Sequence, residues 1–375
     1  MIPYGKQSID DDDVRAVVEV LRSDWLTTGP KVPEFEKAVA DFVRAKYAVA
    51  VCNGTAALHA VMFALGIGPG DEVILPPMTF AATANSIVYQ GGTPIFSDIN
   101  PDTLLIEPGL IEDKITSKTK AIIAVDYAGQ PCDYDGLRKI CEKHGLFLIA
   151  DACHALGATY KDKFVGSLAD MTVFSFHPVK NITTGEGGMI VTDDAKLDSR
   201  ARLFRNHGIQ TNYKQRDQQG TWFYEMLELG YNYRITDIQC ALGISQLKKL
   251  PDFLKIRHKI ASRYDDAFNL IPEIQPLTIL KDVFHAYHLY VIKLHLEALS
   301  CSRMSIFQYL RNQGIGINVH YIPVHLHPFY RKHFGTHRNI CPMAEKVYEQ
   351  ILSLPIFPGM TDKDIKKVID ALTEK

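Results

Sequence analysis

Three residues in this chain combine type and placement in a way that suits chemistry on a phosphorylated aldehyde. Lys180 lies in Ser175-Phe-His-Pro-Val-Lys180-Asn-Ile-Thr-Thr-Gly-Glu-Gly-Gly188, where an apolar run ends in a lysine and then a glycine-rich turn. Asp151 closes a second apolar run, Leu146-Phe-Leu-Ile-Ala150, and Gly54-Thr55 opens a helical stretch after a third. An amine can form a Schiff base, a carboxylate can pair with a pyridine nitrogen, and the free amides of a helix start can take a phosphate. Pyridoxal phosphate needs all three from a protein.

Taken singly, each has an ordinary explanation. Glycine and threonine at a helix start form a turn and cap, Asp151 could cap the following helix, and Lys180 could be a surface amine. The surface reading of Lys180 is weakened by its neighbours. Hydroxyls at Ser175, Thr183 and Thr184 with glycines at 185, 187 and 188 describe a backbone that must approach something closely. A carboxylate leaving a buried strand must be paired, and an amine beside a cationic ring in a dry site has a lowered pKa, which favours imine formation and proton shuttling. Phe80, on a loop beyond Glu72-Val-Ile-Leu75, could be core or could stack on a flat cofactor.

The elements that must position these groups follow from pattern. Short apolar runs at 47–51, 72–75, 121–125, 146–150, 171–174 and 189–191 alternate with helical stretches. Such runs predict an α/β fold with a mostly parallel sheet covered on both faces, with ligands at the carboxyl ends of the strands. Val14, Val17, Val18 and Leu21 give a first helix, whose acids Asp10 to Asp13 favour its positive end rather than forming a metal cluster. A long helical stretch through Leu247, Leu250 and Leu254 carries the chain into a smaller α+β unit. There we expect strands at 287–294 and 317–322 and helices near 302–312, 341–352 and 362–372. The expected division is a large cofactor-binding domain over 1–245 and a small C-terminal domain over 246–375.

Composition bounds the function. The 375 residues hold 41 Lys and Arg against 43 Asp and Glu, so no overall field favours nucleic acid or an anionic membrane. Seven cysteines without CxxC spacing read as reduced thiols. The opening Met-Ile-Pro-Tyr-Gly-Lys resembles no export signal, and no segment approaches the roughly 18 apolar residues of a spanning helix. A cytoplasmic setting is expected. His325 and His327 would share a face in a strand, but no cysteine or acid stands at ligand spacing and no metal is expected. The lack of G-x-G-x-x-G after the first strand argues against a dinucleotide-binding oxidoreductase.

Five motifs in order, Asn53-Gly-Thr55, Thr79-Phe80-Ala-Ala-Thr-Ala-Asn85, Asp151-Ala-Cys-His154-Ala-Leu-Gly157, the Ser175 to Gly188 stretch and Gly230-Tyr-Asn232-Tyr-Arg234, resemble the DegT/DnrJ/EryC1/StrS sugar aminotransferases along nearly the whole chain. The resemblance implies a type I pyridoxal-phosphate aminotransferase fold and a homodimer with shared active sites. By resemblance Lys180 would hold the cofactor covalently, Asp151 would pair with its ring nitrogen and His154 would lie near its phenolic oxygen. Gly54, Thr55 and Ser175 would hold the phosphate, Phe80 would stack on the ring, and Asn232 would reach the neighbouring subunit's cofactor.

The Lys180 stretch, Ile2-Pro-Tyr4-Gly, Trp25-Leu-Thr-Thr-Gly29 and Val319-His320-Tyr321-Ile-Pro323 look most like the pseudaminic-acid branch, the UDP-4-amino-4,6-dideoxy-N-acetyl-β-L-altrosamine transaminases. Tyr4, Asp24, Trp25, Leu26, Thr27, His320 and Tyr321 would then line the sugar-nucleotide site. The implied donor is L-glutamate, the acceptor a nucleotide-linked 4-keto-6-deoxy sugar, and the cofactor cycles through pyridoxamine phosphate. Sister enzymes on other UDP-, GDP- or dTDP-4-keto sugars share much of this text. A non-catalytic regulatory homologue is a further alternative, whereas sugar-dehydrating relatives carry histidine in place of the lysine.

Overall fold

The computed structural model describes every residue except 211–215, 217, 219, 300 and 374–375. Its centre is a seven-stranded sheet of β1 (Tyr47–Val51), β2 (Glu72–Leu75), β3 (Thr93–Phe96), β4 (Thr119–Val125), β5 (Phe147–Asp151), β8 (Met171–Ser175) and β9 (Gly188–Thr192), in the order β1-β9-β8-β5-β4-β2-β3. Pairs among β8, β5, β4, β2 and β3 are parallel, and β9 runs antiparallel to both β8 and β1. Nearly every residue of β1, β4, β5 and β9 is buried whichever face it takes, as a sheet covered on both sides requires. The six apolar runs are all strands of this sheet. A seventh, β3, was not expected, because Thr93-Pro-Ile-Phe96 is short and alternates between buried and half-buried positions.

Local chemistry starts the helices where the chain needs them. Asp10 caps Asp11–Leu21 in a reciprocal box with Asp13, and Lys249 bonds to both of these acids. Asn53 accepts from Ala56 N and caps Gly54–Ala64. Thr236 and Gln239 form a capping box at the head of the 32-residue helix Asp237–Phe268. The early face of that helix, with Cys240, Leu247, Leu250 and Leu254, belongs to the main core; its later face, with Ile260, Tyr264 and Phe268, belongs to a second core. Position 245 therefore falls inside one continuous helix.

The second core lies around an antiparallel sheet of β10 (Ile274–Pro276), β12 (Tyr290–Leu294) and β13 (Ile351–Leu354), with the helices Arg303–Asn312 and Asp362–Thr373. The small hairpin β6 (Thr159–Tyr160) and β7 (Lys163–Phe164) pairs with β11 (Val283–Phe284). Three expectations change here. Residues 317–322 form no strand: after one bridge from Asn318 to Ser353 the backbone leaves the sheet and delivers His320 and Tyr321 elsewhere. The helix expected over 341–352 stops at Tyr348, and Ile351 to Leu354 pair with β12 instead, their apolar side chains buried between elements. The strand expected from 287 begins at Tyr290, because 286–289 bonds to the 3-10 turn Tyr127–Gly129.

Candidate active site

The carboxyl ends of β1, β5 and β8 converge with the head of the helix Gly54–Ala64. Gly188 makes this possible. It stands opposite Val51 on one side and Ser175 on the other, and a Cβ there would lie 2.5 Å from the Asn53 carbonyl oxygen. Gly54 is tight but less so: its Cβ would lie 3.0 Å from Ser175 Cβ and 3.4 Å from Cys153 Sγ. Gly54, Thr55, Ser175 and Cys153 thus form one small cradle at a helix N-terminus, where unpaired amides and the helix dipole favour an anion such as phosphate.

Asp151 is buried at the end of β5. Its Oδ2 accepts from Thr83 Oγ1 at 2.6 Å and its Oδ1 from Cys153 N at 3.3 Å. Next to it, fully buried Asp126 is pushed up to about 7 by burial, against the donors Tyr134 OH and Cys132 N that favour its charged form.

Lys180 closes a turn with its N–H on the His177 carbonyl, and the glycine-rich stretch is tied down by Thr183, which donates to Phe176 O and accepts from Gly185 N. Asn181 donates to Leu156 O and Ala286 O, joining the lysine turn to two other segments. Lys180 is partly buried, and its pKa falls below the ordinary lysine value because burial disfavours the ammonium, partly offset by Cys153 and Asp151. The shift enriches the free amine, the nucleophilic form.

A wall of rings completes the cleft. His154, buried two residues after Cys153's neighbour Ala152, places Nε2 3.0 Å from Tyr321 OH, with the rings nearly parallel. Tyr321 N contacts Met78 Sδ at 3.4 Å, and its ring lies 6.1 Å from Phe80, which is 61% exposed at the head of the helix Ala81–Tyr89. His320 is buried with Nδ1 2.8 Å from Ser353 Oγ, its ring 5.4 Å from Tyr4, and its carbonyl accepts from Tyr127 OH. Burial pushes Tyr321 well above the usual phenol range and His320 down to about 4, so both rings are neutral near pH 7.

The remaining expected site residues are exposed on the single chain. Asp24, Trp25, Leu26 and Thr27 are exposed, with Leu26 O accepting from Asp237 N and Thr27 bridging to Thr236 at the head of the long helix. Asn232 is exposed and bridges to Asn206, beyond a run of exposed apolar residues from Trp222 to Tyr231. His325 is not a paired strand histidine: it lies in a short 3-10 turn, fully buried, 3.0 Å from Glu345, while His327 heads the helix Pro328–Phe334. Among the described residues no group of three or more His, Cys, Asp or Glu could hold a metal ion. Thr83, Tyr127 and His288 were not anticipated. Thr83 carries a weak signal, four residues after Thr79 in a quoted motif; His288 carries none.

The arrangement fits a flat, phosphorylated aldehyde. The cradle is sized by glycines that a Cβ would fill, and the Asp151 carboxylate and the Lys180 amine stand within electrostatic reach of each other.

Comparisons with known proteins agree. The sequence profile described as the DegT/DnrJ/EryC1/StrS aminotransferase family matches residues 7–373. The spore coat polysaccharide biosynthesis protein SpsC of Bacillus subtilis is 44% identical over 375 residues, covering 100% of this chain and 96% of SpsC. PseC of Helicobacter pylori, an aminotransferase of pseudaminic acid biosynthesis, superposes with a TM-score of 0.92 at 35% identity, covering 100% of this chain and 98% of PseC. Spr1654 of Streptococcus pneumoniae, assigned as a sugar aminotransferase and solved in its PMP form, gives a TM-score of 0.94 at 34% identity with the same coverage.

Proposed function

The chain belongs to the DegT/DnrJ/EryC1/StrS aminotransferase family, with the type I pyridoxal-phosphate aminotransferase fold, and from that premise we propose that it moves an amino group from L-glutamate to C4 of a nucleotide-linked 4-keto-6-deoxy sugar. It is a pyridoxal-phosphate-dependent sugar aminotransferase. The proposed acceptor is the UDP-linked 4-keto-6-deoxy-N-acetyl-L-altrosamine precursor type used in pseudaminic acid and surface glycan synthesis. The PseC likeness and the Tyr4, His320 and Tyr321 cluster support this choice.

When bound, pyridoxal phosphate supplies a carbonyl that takes up the amino group and a ring that withdraws electrons from the carbon losing its proton. This chain's residues do the rest. Lys180 would be the amine that holds the cofactor, and its ε-nitrogen would serve as the base that takes and returns the proton at the amino-bearing carbon. Asp151, steadied by Thr83, would keep the pyridine nitrogen protonated. Gly54, Thr55 and Ser175 would hold the phosphate, Phe80 and His154 would flank the ring, and Asn232 would reach the cofactor of the second subunit in a homodimer. Tyr4, Asp24, Trp25, Leu26, Thr27, His320 and Tyr321 would line the sugar-nucleotide site, the exposed 24–27 segment becoming covered there. No helix among the described residues is long and apolar enough to cross a membrane, and cytoplasmic residence is part of this proposal.

The observation that carries the reading is the Lys180 amine, its pKa lowered by burial, standing within reach of Asp151 and Cys153, which itself adjoins the Gly54 and Ser175 cradle. The alternative acceptor is another UDP-, GDP- or dTDP-linked 4-keto sugar. The test is to offer the cofactor-loaded protein a panel of UDP-, GDP- and dTDP-4-keto sugars with glutamate and to identify the amino sugar by NMR. A product only from a UDP-linked N-acetylated substrate supports the proposal; turnover of a GDP- or dTDP-sugar instead overturns the substrate assignment.

A further inference from the structure

His288 stands in the wall of the site without belonging to any of the motifs above. It is buried, and its ring centroid is 4.4 Å from that of His154 with the planes 44° apart. The backbone enforces this approach. Ala286 N donates to Gly129 O and Leu289 N to Ala128 O, which sews residues 286–289 to the turn Tyr127–Gly129. Gly129 has φ +104°, and a Cβ there would come within 2.9 Å of His154 O and 3.1 Å of His288 N, so glycine is needed where the three segments meet. From the other side Arg257, fully buried on the long helix, donates to the carbonyls of Tyr287 and Ile356 and holds the His288 peptide in place.

Two atoms in this contact have no partner. His154 Nδ1 and His288 Nδ1 are both buried and bond to no protein group, whereas His154 Nε2 meets Tyr321 OH at 3.0 Å. Burial and the nearby Lys180 charge keep both rings neutral, so each has one N–H and one lone pair. A phenol donates more readily than it accepts, which makes His154 Nε2 the acceptor and leaves the N–H on Nδ1. That N–H needs an acceptor, and the His288 ring is its neighbour. Two orphaned nitrogens on rings whose centroids are 4.4 Å apart can be satisfied together by one small polar molecule.

We propose that His288 is a positioning residue for His154: one water joins their Nδ1 atoms, and the chain Tyr321 to His154 to water to His288 holds His154 as the Nδ1–H tautomer, so that the Tyr321 oxygen keeps its lone pairs free for the cleft. Its consequence for catalysis rests on the aminotransferase reading; the hydrogen-bond chain itself does not.

The test uses side chains that mimic one nitrogen at a time. Asparagine sets an amide where Nδ1 sits, glutamine where Nε2 sits, and leucine neither. In cofactor-free protein labelled with 15N-histidine, with His154 assigned by its loss in His154→Gln, wild type and His288→Asn show His154 as the Nδ1–H tautomer. His288→Leu shifts it toward the Nε2–H form; should that variant not fold, His288→Gln gives the same comparison. In the loaded enzyme His288→Leu lowers kcat about tenfold, the rate equivalent of one net hydrogen bond, and His288→Asn restores most of it. Unchanged His154 resonances in the leucine or glutamine variant overturn the proposal, as do equal kcat losses for asparagine and leucine. Shifted resonances in a protein that transaminates nothing would sink the function and leave the histidine pair standing.

Discussion

Thr83 donates its one hydroxyl proton to Asp151 at 2.6 Å, so the 2.7 Å contact between Thr83 and Thr79 has Thr79 as its donor. The carboxylate at the end of β5 is thereby oriented by a two-step relay from the head of the helix Ala81–Tyr89. Thr83→Val keeps the shape and removes the donor. A hydrogen bond to a charged group contributes about 1.5–3 kcal/mol, and urea unfolding of the cofactor-free variant should show a loss of that order, with weaker cofactor binding. Thr83→Ser should recover both. Wild-type stability in Thr83→Val would remove the threonine from the site's architecture.

Gly188 touches the backbone of Asn53 and Gly54 so closely that any side chain must move one of them. Gly188→Ala should cost about 1–3 kcal/mol by overpacking and weaken binding of inorganic phosphate, which probes the cradle without the rest of the cofactor. Titration of phosphate followed by calorimetry, beside a thermal melt, checks both. An alanine variant that binds phosphate as wild type does would place the anion elsewhere.

Acid should unfold the cofactor-free protein early. Burial lowers His59 and His320 to about 4 and His285 to about 3 from the ordinary 6.5. Between these values the unfolded chain binds protons that the folded chain refuses, so stability rises with pH there. The contribution is fully present above 6.5 and is lost as pH falls toward 4 and then 3. Urea midpoints measured near neutrality and about two pH units lower should drop steeply; a flat profile would contradict the buried neutral histidines.

The exposed apolar run beside Asn232, with Trp222 at 88% and Leu229 at 72% accessible, brings several large apolar side chains together on the surface, as interaction sites do. If a second copy covers it and Asn232 serves the neighbouring site, inactive Lys180→Met and impaired Asn232→Ala subunits should complement when mixed. Random exchange leaves one intact site in each mixed dimer, or roughly a quarter of wild-type activity. No gain on mixing would confine each site to one chain.

Much of this was legible in the sequence, for physical reasons. The strands β1, β2, β4, β5, β8 and β9 announce themselves because a sheet covered on both faces needs unbroken apolar runs, and Lys180 and Asp151 stand out as charged groups at the ends of such runs. Residues 317–322 misled because Ile317, Val319 and Ile322 give the β-branched pattern of a strand, while the backbone turns away to deliver His320 and Tyr321. Thr83 and His288 stayed hidden because what defines them is a partner far along the chain: Asp151 for one, the ring of His154 for the other. The interior position of Gly129 is likewise invisible until the segments it admits are folded together.

Lys180 is proposed to be the amine that holds pyridoxal phosphate. Borohydride reduction of the loaded protein, followed by proteolysis and mass mapping, tests it most directly. A single phosphopyridoxyl adduct should form on Lys180 and be absent from Lys180→Ala; an adduct on any other lysine, or none, would refute its assignment.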